Sequence, residues 1–346
     1  MTANDITLSR EDSAMKRLSA GLLLALLLLS GCGRSVPTQT EYAPPEENRL
    51  VIYTSHKQEV YRPILREFEE RTGIWVEVVS GGTNELLDRI EKERSDPKAD
   101  VMFGGGVETL EAHEDSFSPY RCADASSVSP LYRQEADLWT PFSALPLVLI
   151  YNTKLVDPEW LRSWADLTRP EFSGRVAFAD PAVSGSSYTA LVTWIYARGE
   201  DALEDLAAAL DYRQLSSSGE VLSAVADGSC LVGITLEETA LQRIAAGADL
   251  AVVYPRDGTS CVPDGTALIA GAPHRENAEK FLDFTLSREV QQLLGSRFYR
   301  RSVRSDVAAA NSLPAMETLN LVDYDPRWAA EHRETILRQW DEALED

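Results

Sequence analysis

Short apolar strands alternate with amphipathic helices from Leu50 onward, and this order limits the fold more than any other feature of the chain. The strand "LVIYTS" (50–55) is followed by a helical pattern, by "IWVEVVS" (74–80), by a second helical pattern and by "ADVMF" (99–103). Strands joined by helices run parallel, because the helix carries the chain back to the same end of the sheet. The pattern predicts an α/β fold with a parallel, doubly wound sheet.

A second series of strands begins at "PLVLIYN" (146–152), after a more irregular stretch. It continues through "RVAFAD" (175–180), "LVGIT" (231–235), "LAVVYP" (250–255) and "GTALIAG" (265–271), with helical patterns between them. The chain is long enough for one large or two medium-sized cores.

The first 31 residues have the form of an export signal. Lys16 and Arg17 precede the apolar segment 20–29, which is too short to span a bilayer. The sequence "LSGC" (29–32) resembles the lipobox of bacterial lipoproteins, which implies cleavage before Cys32 and a lipid on its sulfur. Met15 is an alternative start, and a buried N-terminal helix is the alternative structure. We expect an exported protein that an N-terminal acyl anchor holds in the lipid bilayer of the cell envelope.

Residues 33–49 are rich in proline and polar residues and lack apolar periodicity, so they predict a flexible tether. The formal net charge of −22 disfavours nucleic acid and anionic membrane surfaces as partners. An anionic ligand would need a site built locally from backbone dipoles and a few cations.

Three cysteines follow Cys32, in a compartment that permits disulfide bonds. We expect a bridge between Cys230 and Cys261 and a free Cys122, although connectivity does not follow from sequence. The histidines are scattered and show no zinc spacing, so we expect no metal site and no cofactor.

Hydroxyl-bearing residues and glycines follow four of the predicted strands. These residues stand between the end of a strand and the start of the next helix. The first N–H groups of a helix have no partner within the helix, so they attract anions. Helix caps and tight turns are the alternative explanation for each loop taken alone. Taken together, the loops predict an anion-binding site at the carboxyl ends of the strands. The candidate residues are Ser55, His56, Gly82, Thr83, Gly105, Gly106, Ser184, Gly185, Ser186 and Ser187.

Several motifs resemble, in order, those of bacterial extracellular solute-binding proteins of ABC importers. They include "LVIYTSHKQEVYRPILREFEERTGIWVEVV", "ADVMFGGGVETL", "FADPAVSGSSYTAL" and "VVYPRDGTSCVPDGTALIAGAPHRENAEKFLDF". The branch they resemble is often labelled ferric-iron-binding and also includes binders of phosphonates and sugar phosphates.

The resemblance implies two α/β lobes that are joined by hinge strands and close on a ligand. Lobe 1 would comprise residues 50–145 and 265–346, and lobe 2 residues 146–264. It also implies delivery of the ligand to the membrane subunits of an ABC permease, and we expect a monomeric binding protein for a small anionic ligand, not an enzyme.

Ferric members of that branch hold iron with neighbouring tyrosines in the segment that corresponds to "VGITLEETA". Here Glu237 and Glu238 stand in that place, which favours a phosphorylated or phosphonate ligand over iron. Thr235 and Glu237 are further candidates for contacts with the non-phosphate part of a ligand. A first-turn glutamate is also favourable in itself.

Two arginines, Arg300 and Arg301, are either a cationic fork for phosphate or ordinary basic surface residues. An iron site would require other tyrosines to converge, such as Tyr53, Tyr151 and Tyr188.

An exported hydrolase of phosphate esters is the third interpretation. It would need a nucleophile with a partnered base, and the sequence contains no G-x-S-x-G elbow. The segment 326–346 has helical spacing, and we expect it to pack on lobe 1.

Overall fold

The computed structural model describes residues 44–309 and 313–345. The predicted signal segment 1–31, the lipidated Cys32 and most of the predicted tether lie outside the described residues. The tether prediction extends too far at its end, because Glu46–Asn48 form a short 3-10 turn and the first strand begins at Arg49. Asn277 holds this turn by donating to the Glu47 and Arg49 carbonyls.

Helices and strands alternate as predicted in the first third of the chain. The described strands are β1 (Arg49–Thr54), β2 (Trp75–Ser80), β3 (Val101–Gly106), β4 (Thr140–Asn152), β5 (Val176–Ala177), β6 (Val232–Leu236), β7 (Leu250–Val253), β8 (Cys261–Leu268) and β9 (Arg301–Ser302). The described α-helices are α1 (Gln58–Thr72), α2 (Thr83–Lys92), α3 (Val107–Glu111), α4 (Gly185–Arg198), α5 (Leu203–Ala209), α6 (Ser218–Asp227), α7 (Glu237–Ala245), α8 (Arg275–Leu286), α9 (Arg288–Phe298), α10 (Pro326–Glu331) and α11 (Arg333–Glu345).

The strands pair in the order β2-β1-β3-β8-β4-β6-β5, and β7 and β9 also pair with β4. β2, β1 and β3 are parallel, as the sequence predicts, and so are β5 and β6. β8 enters antiparallel between β3 and β4. The fold is therefore mixed rather than wholly parallel.

Strand β4 belongs to both halves of the molecule. Its first part, up to Pro146, pairs with β8, and its second part, from Leu147, pairs with β6 and β7. We use "first lobe" for the elements that pack on β1, β2, β3 and β8, and "second lobe" for those that pack on β5, β6 and β7. The lobe borders that the family resemblance implies stay a prediction.

Each lobe buries apolar side chains on both faces of its strands. In the second part of β4, Leu147 and Leu149 face one cluster, which contains Trp164 and Trp194, whereas Val148 and Ile150 face the other. Successive side chains of a strand point to opposite faces of the sheet. Because both faces are buried here, the strand is apolar at every position, which explains the continuous apolar run in the sequence. The first lobe is likewise covered on both faces.

The C-terminal segment forms two helices that contact different lobes. α10 lies against α3 of the first lobe, as expected, but α11 lies against α5 of the second lobe. Trp340 of α11 is fully buried, with its ring 5.7 Å from that of Phe178. The prediction that the whole segment packs on lobe 1 is therefore wrong, because helical spacing identifies an apolar stripe but not the surface it covers.

The predicted bridge between Cys230 and Cys261 is also wrong, since both are free thiols, as is Cys122. Cys230 packs beside the second-lobe cluster, and Cys261 contacts the Tyr132 hydroxyl at 3.5 Å. Within the described residues, we find no helix with the length and apolar character needed to span a membrane.

Candidate functional site: a cleft between the lobes

A cavity of about 280 Å³ lies where the strands β1, β2, β3 and β6 end. Both lobes contribute to its walls, mostly through small hydroxyl side chains and glycines. The residues that line it are Ser55, His56, Lys57, Gly81, Gly82, Thr83, Gly105, Gly106, Leu145, Val183, Ser184, Gly185, Ser186, Thr189, Ser216, Ser217, Ser218, Leu236, Glu238, Thr239, Val262, Asp264 and Arg300.

In the first lobe, glycines bring the backbone close to the wall of the cleft. Gly104 and Gly105 have φ of +110° and +93°, a conformation that favours glycine. A Cβ at Gly105 would lie 2.7 Å from the Thr83 methyl group, and one at Gly104 would lie 2.6 Å from the Ser55 hydroxyl. The end of β3 can therefore pass directly beside Ser55 and Thr83 only because it has no side chains at Gly104 and Gly105.

In the second lobe, helix α4 begins at the cleft. Ser184 caps it by accepting a hydrogen bond from the Ser187 N–H at 3.4 Å, and its hydroxyl lies 3.2 Å from that of Ser186. The cap uses one hydroxyl, and Gly185 and Ser186 remain on the cleft wall. Capping and lining are therefore both present at the same helix end.

The two lobes touch across the cleft. A Cβ added at Gly185 would lie 3.7 Å from the Thr83 hydroxyl oxygen. The Asn84 amide donates to the Ala182 carbonyl at 2.6 Å. The helix ends of α2 and α4 therefore face each other at contact distance, which is a closed arrangement.

Arg300 forms the floor of the cleft and is 5 % exposed. Its Nη1 donates to Asp264 at 2.5 Å and to the Ser143 hydroxyl at 2.9 Å, and its Nη2 donates to Glu238 at 3.0 Å. Asp264 also accepts from the Ser143 N–H and hydroxyl, both at 2.8 Å. One guanidinium thus links strand β8 to helix α7 of the second lobe and leaves its Nε without a partner.

His56 stands beside this floor in a neutral state. It is 7 % exposed, packs against the Phe103 and Phe142 rings, and its Nε2 has no hydrogen-bond partner. Burial, and then the field of Arg300, lower its pKa well below the usual value. Nε2 lies 3.7 Å from Asp264, too far for a hydrogen bond.

Most of the predicted site residues converge on the cleft. Ser55, His56, Gly82, Thr83, Gly105, Gly106, Ser184, Gly185 and Ser186 line it. Ser187, Thr235 and Glu237 do not.

Glu237 is 1 % exposed and accepts from Arg301 at 2.7 and 2.8 Å and from the Tyr254 hydroxyl at 2.5 Å. The carboxylate on the cleft wall is that of Glu238, one residue along. Arg300 and Arg301 are both buried, so their interpretation as basic surface residues is wrong.

Sequence reasoning missed Thr189, Asp264, Glu238 and the loop 216–218. The sequence "SSS" (216–218) leads into α6, with Ser217 as the cap and Ser218 as the first helical residue, and so repeats the hydroxyl-then-helix signal of Ser184–Ser187. That signal was available in the sequence. Asp264 lies within a strand, where no comparable signal exists.

The tyrosines that an iron site would require do not line the cavity. The Tyr53 hydroxyl donates to Glu93 at 2.9 Å, and burial, with that contact, raises its pKa to about 12. Tyr188 is fully buried and donates to the Ala329 carbonyl. Among the residues that the structure describes, no group of three His, Cys, Asp or Glu side chains could hold a metal ion.

A cleft between two α/β lobes that share a long strand is the architecture of the type II periplasmic binding proteins. The fold matches AfuA of Actinobacillus pleuropneumoniae, solved with fructose 6-phosphate bound, with a TM-score of 0.80 and 25 % identity over 86 % of this chain and 98 % of that one. Residues 50–300 match the family model described as bacterial extracellular solute-binding protein, and the chain belongs to that family.

Two sequence relatives extend the comparison. An uncharacterised protein of Haemophilus influenzae is 28 % identical over 93 % of this chain and 95 % of its own length. Iron uptake protein A1 of a Synechocystis strain is also 28 % identical, over 83 % of this chain and 84 % of its own length. The chain is thus a solute-binding protein of the class that serves ABC transporters.

Proposed function

We propose that this protein captures a small phosphorylated or phosphonate anion between its lobes and delivers it to an ABC permease. The carrying observation is that the N-termini of α2, α4 and α6 all meet one cavity, and that each presents hydroxyl groups there. Helix N-termini offer unpaired N–H groups and partial positive charge to an anion. Because the helices come from both lobes, an anion bound to all three would favour the closed state.

The local charges explain how a chain of net charge −22 could bind an anion. Arg300 already serves two carboxylates, so it contributes little free positive charge to the cleft. Backbone N–H groups, hydroxyls and Lys57, which also lines the cavity, are therefore the main donors available to an anion. The cavity volume suits a small ligand of sugar phosphate, organophosphate or aminoalkylphosphonate size.

Ferric iron or an iron chelate is the second candidate, favoured by the relative named as an iron uptake protein. Against bare iron, no tyrosine is among the described residues that line the cleft. A ferric chelate would reach the same helix ends through the anionic groups of its organic part.

Bond chemistry is not part of the proposal. A serine nucleophile would need hydrogen-bond contact with a base, and the Nε2 of His56 makes no such contact with Ser55.

We further propose that the acyl anchor on Cys32 holds the protein at the cell envelope. A Cys32→Ser variant should then lose labelling by palmitate and leave the membrane fraction, whereas unchanged labelling would refute the anchor.

Thermal unfolding with a ligand panel tests the proposal. The panel contains fructose 6-phosphate, glycerol 3-phosphate, 2-aminoethylphosphonate, inorganic phosphate and ferric citrate. A ligand at a hundred times its Kd stabilises by about 2.7 kcal/mol, which raises the Tm by several degrees.

We expect one phosphorylated compound or phosphonate to raise the Tm. Thr83→Ala combined with Ser186→Ala should abolish the shift, while Ser187→Ala, in the same helix turn but outside the cleft lining, should keep it. A shift with ferric citrate alone would refute the proposal in favour of the second candidate.

A further inference from the structure

Glu108 is a buried acid at the contact between the lobes. It lies in the first turn of α3 and is 0 % exposed. Its Oε1 forms a hydrogen bond with the hydroxyl of Thr189, which belongs to α4 of the second lobe and lines the cleft. Closure of the lobes therefore brings a carboxyl group of one lobe onto a hydroxyl group of the other.

The number of hydrogen atoms available at this contact indicates the protonation state of Glu108. The Thr189 hydroxyl also lies 3.1 Å from the Gly185 carbonyl oxygen, which can only accept. A hydroxyl has one hydrogen, so it cannot serve both oxygens fully. If the carboxyl of Glu108 is protonated, it donates to Thr189, and Thr189 donates to Gly185, so both contacts are satisfied.

The surroundings favour the neutral acid. The Oε2 of Glu108 is buried and has no partner. Arg333 of α11, the nearby cation, lies over the Tyr188 ring at 4.4 Å and acts on Glu108 only at a distance. Tyr188 donates to Ala329, and the Tyr324 hydroxyl has no partner. Asp88 of α2 acts electrostatically on Arg333 and is not among the groups that shift the pKa of Glu108.

Opposing effects act on the acid. Burial raises the pKa of Glu108, and Thr189, the backbone N–H of Glu108 and Arg333 oppose this, with a raised pKa as the net result. In an open cleft Thr189 would move away and water would reach the carboxyl group, so its pKa would return toward the ordinary range.

We propose that Glu108 takes up a proton when the lobes close and, as a neutral acid, donates to Thr189, so that ligand capture is coupled to proton uptake. The coupling rests on the proposed function only in that some ligand must close the lobes. Its sign follows from linkage. Between the open-state and closed-state pKa values the closed form holds one proton more, so ligand affinity falls by up to tenfold per unit rise in pH. Outside this window the dependence on Glu108 disappears.

Glu108→Gln is the diagnostic variant, because glutamine keeps the volume and an N–H donor for Thr189 but cannot titrate. We would measure binding calorimetrically, with the full chain and whichever panel ligand raises the Tm, in buffers of different ionisation enthalpy between about pH 4 and 8. The wild type should take up as much as one proton more than the variant, and its affinity should fall more steeply with pH. The phosphate group and His56 exchange the same protons in both proteins, so their contribution cancels in the difference between wild type and variant.

A protein that binds only ferric citrate would refute the phosphate proposal and still test this one with that ligand. If no compound binds, the readout is the difference in free energy of unfolding between wild type and Glu108→Gln, each with its lobes held closed by a disulfide between Thr83→Cys and Gly185→Cys, whose Cβ atoms would lie 3.9 Å apart. Since the folded-state pKa is raised, the wild type should lose stability relative to the variant as pH rises through the window. Equal proton uptake with parallel affinity profiles, or parallel stability profiles where no ligand exists, would overturn the inference.

Discussion

Replacing Gly105 by alanine should destabilise the protein through two separable effects. The φ of +93° is unfavourable for any L-residue and costs about 1–2 kcal/mol. The new Cβ would lie 2.7 Å from the Thr83 methyl group, and such overpacking costs about 1–3 kcal/mol. Together they predict a loss of about 2–5 kcal/mol in the free energy of unfolding, measured by urea denaturation.

Thr83→Ser separates the two effects, because it removes the methyl group and leaves the backbone strain. In that background Gly105→Ala should cost only about 1–2 kcal/mol, so the double-mutant cycle should show a coupling of about 1–3 kcal/mol. Gly82→Ala is the matched control: its φ is −66°, nothing lies within 4 Å of the added Cβ, and it should cost about 1 kcal/mol or less. An equal cost of Gly105→Ala in both backgrounds would refute the steric argument.

Three further changes test other parts of the structure, each by urea unfolding. Because His56 is buried and its pKa is lowered, the unfolded chain takes up a proton first as pH falls, so the wild type should lose stability relative to His56→Gln between about pH 7 and 5, and parallel profiles would contradict this. Arg301→Met should cost about 3–5 kcal/mol by leaving Glu237 buried and unpaired, and adding Glu237→Gln should recover part of that loss, whereas no recovery would argue against the ion pair. Trp340→Ala should cost about 3–5 kcal/mol, while Trp75→Ala, at a half-exposed site, should cost far less, and equal costs would argue against docking of α11.

Strand and helix periodicity predicted much of the fold but not its mixed sheet. The sequence predicts a strand over 146–152, yet β4 begins at Thr140. Ser143 is polar and Pro141 cannot donate to a sheet, so the earlier residues lack a strand signal. The structure satisfies Ser143 through Asp264, a partner far away in the sequence.

The cleft was predictable where the signal is local. A hydroxyl directly before a helix predicts both a helix cap and a residue that lines the cleft, and Ser184 is both. The choice between Glu237 and Glu238 depends on helix rotation of about 100° per residue, which composition does not fix. Glu108 gives no signal at all, because a first-turn glutamate normally indicates a solvated helix end.

The position of β8 sets an order for assembly of the chain. β1, β2 and β3 are made early, but the next strand of their sheet is β8, and Val101 pairs with Leu268. The chain between them includes the second lobe, so β3 keeps an open edge until nearly all of that lobe has been synthesised. Such long loop closures are slow, because the entropy of closure is lost before the contacts form. We expect the nascent first lobe to remain incompletely folded, and accessible to the factors that receive emerging chains, until β8 arrives.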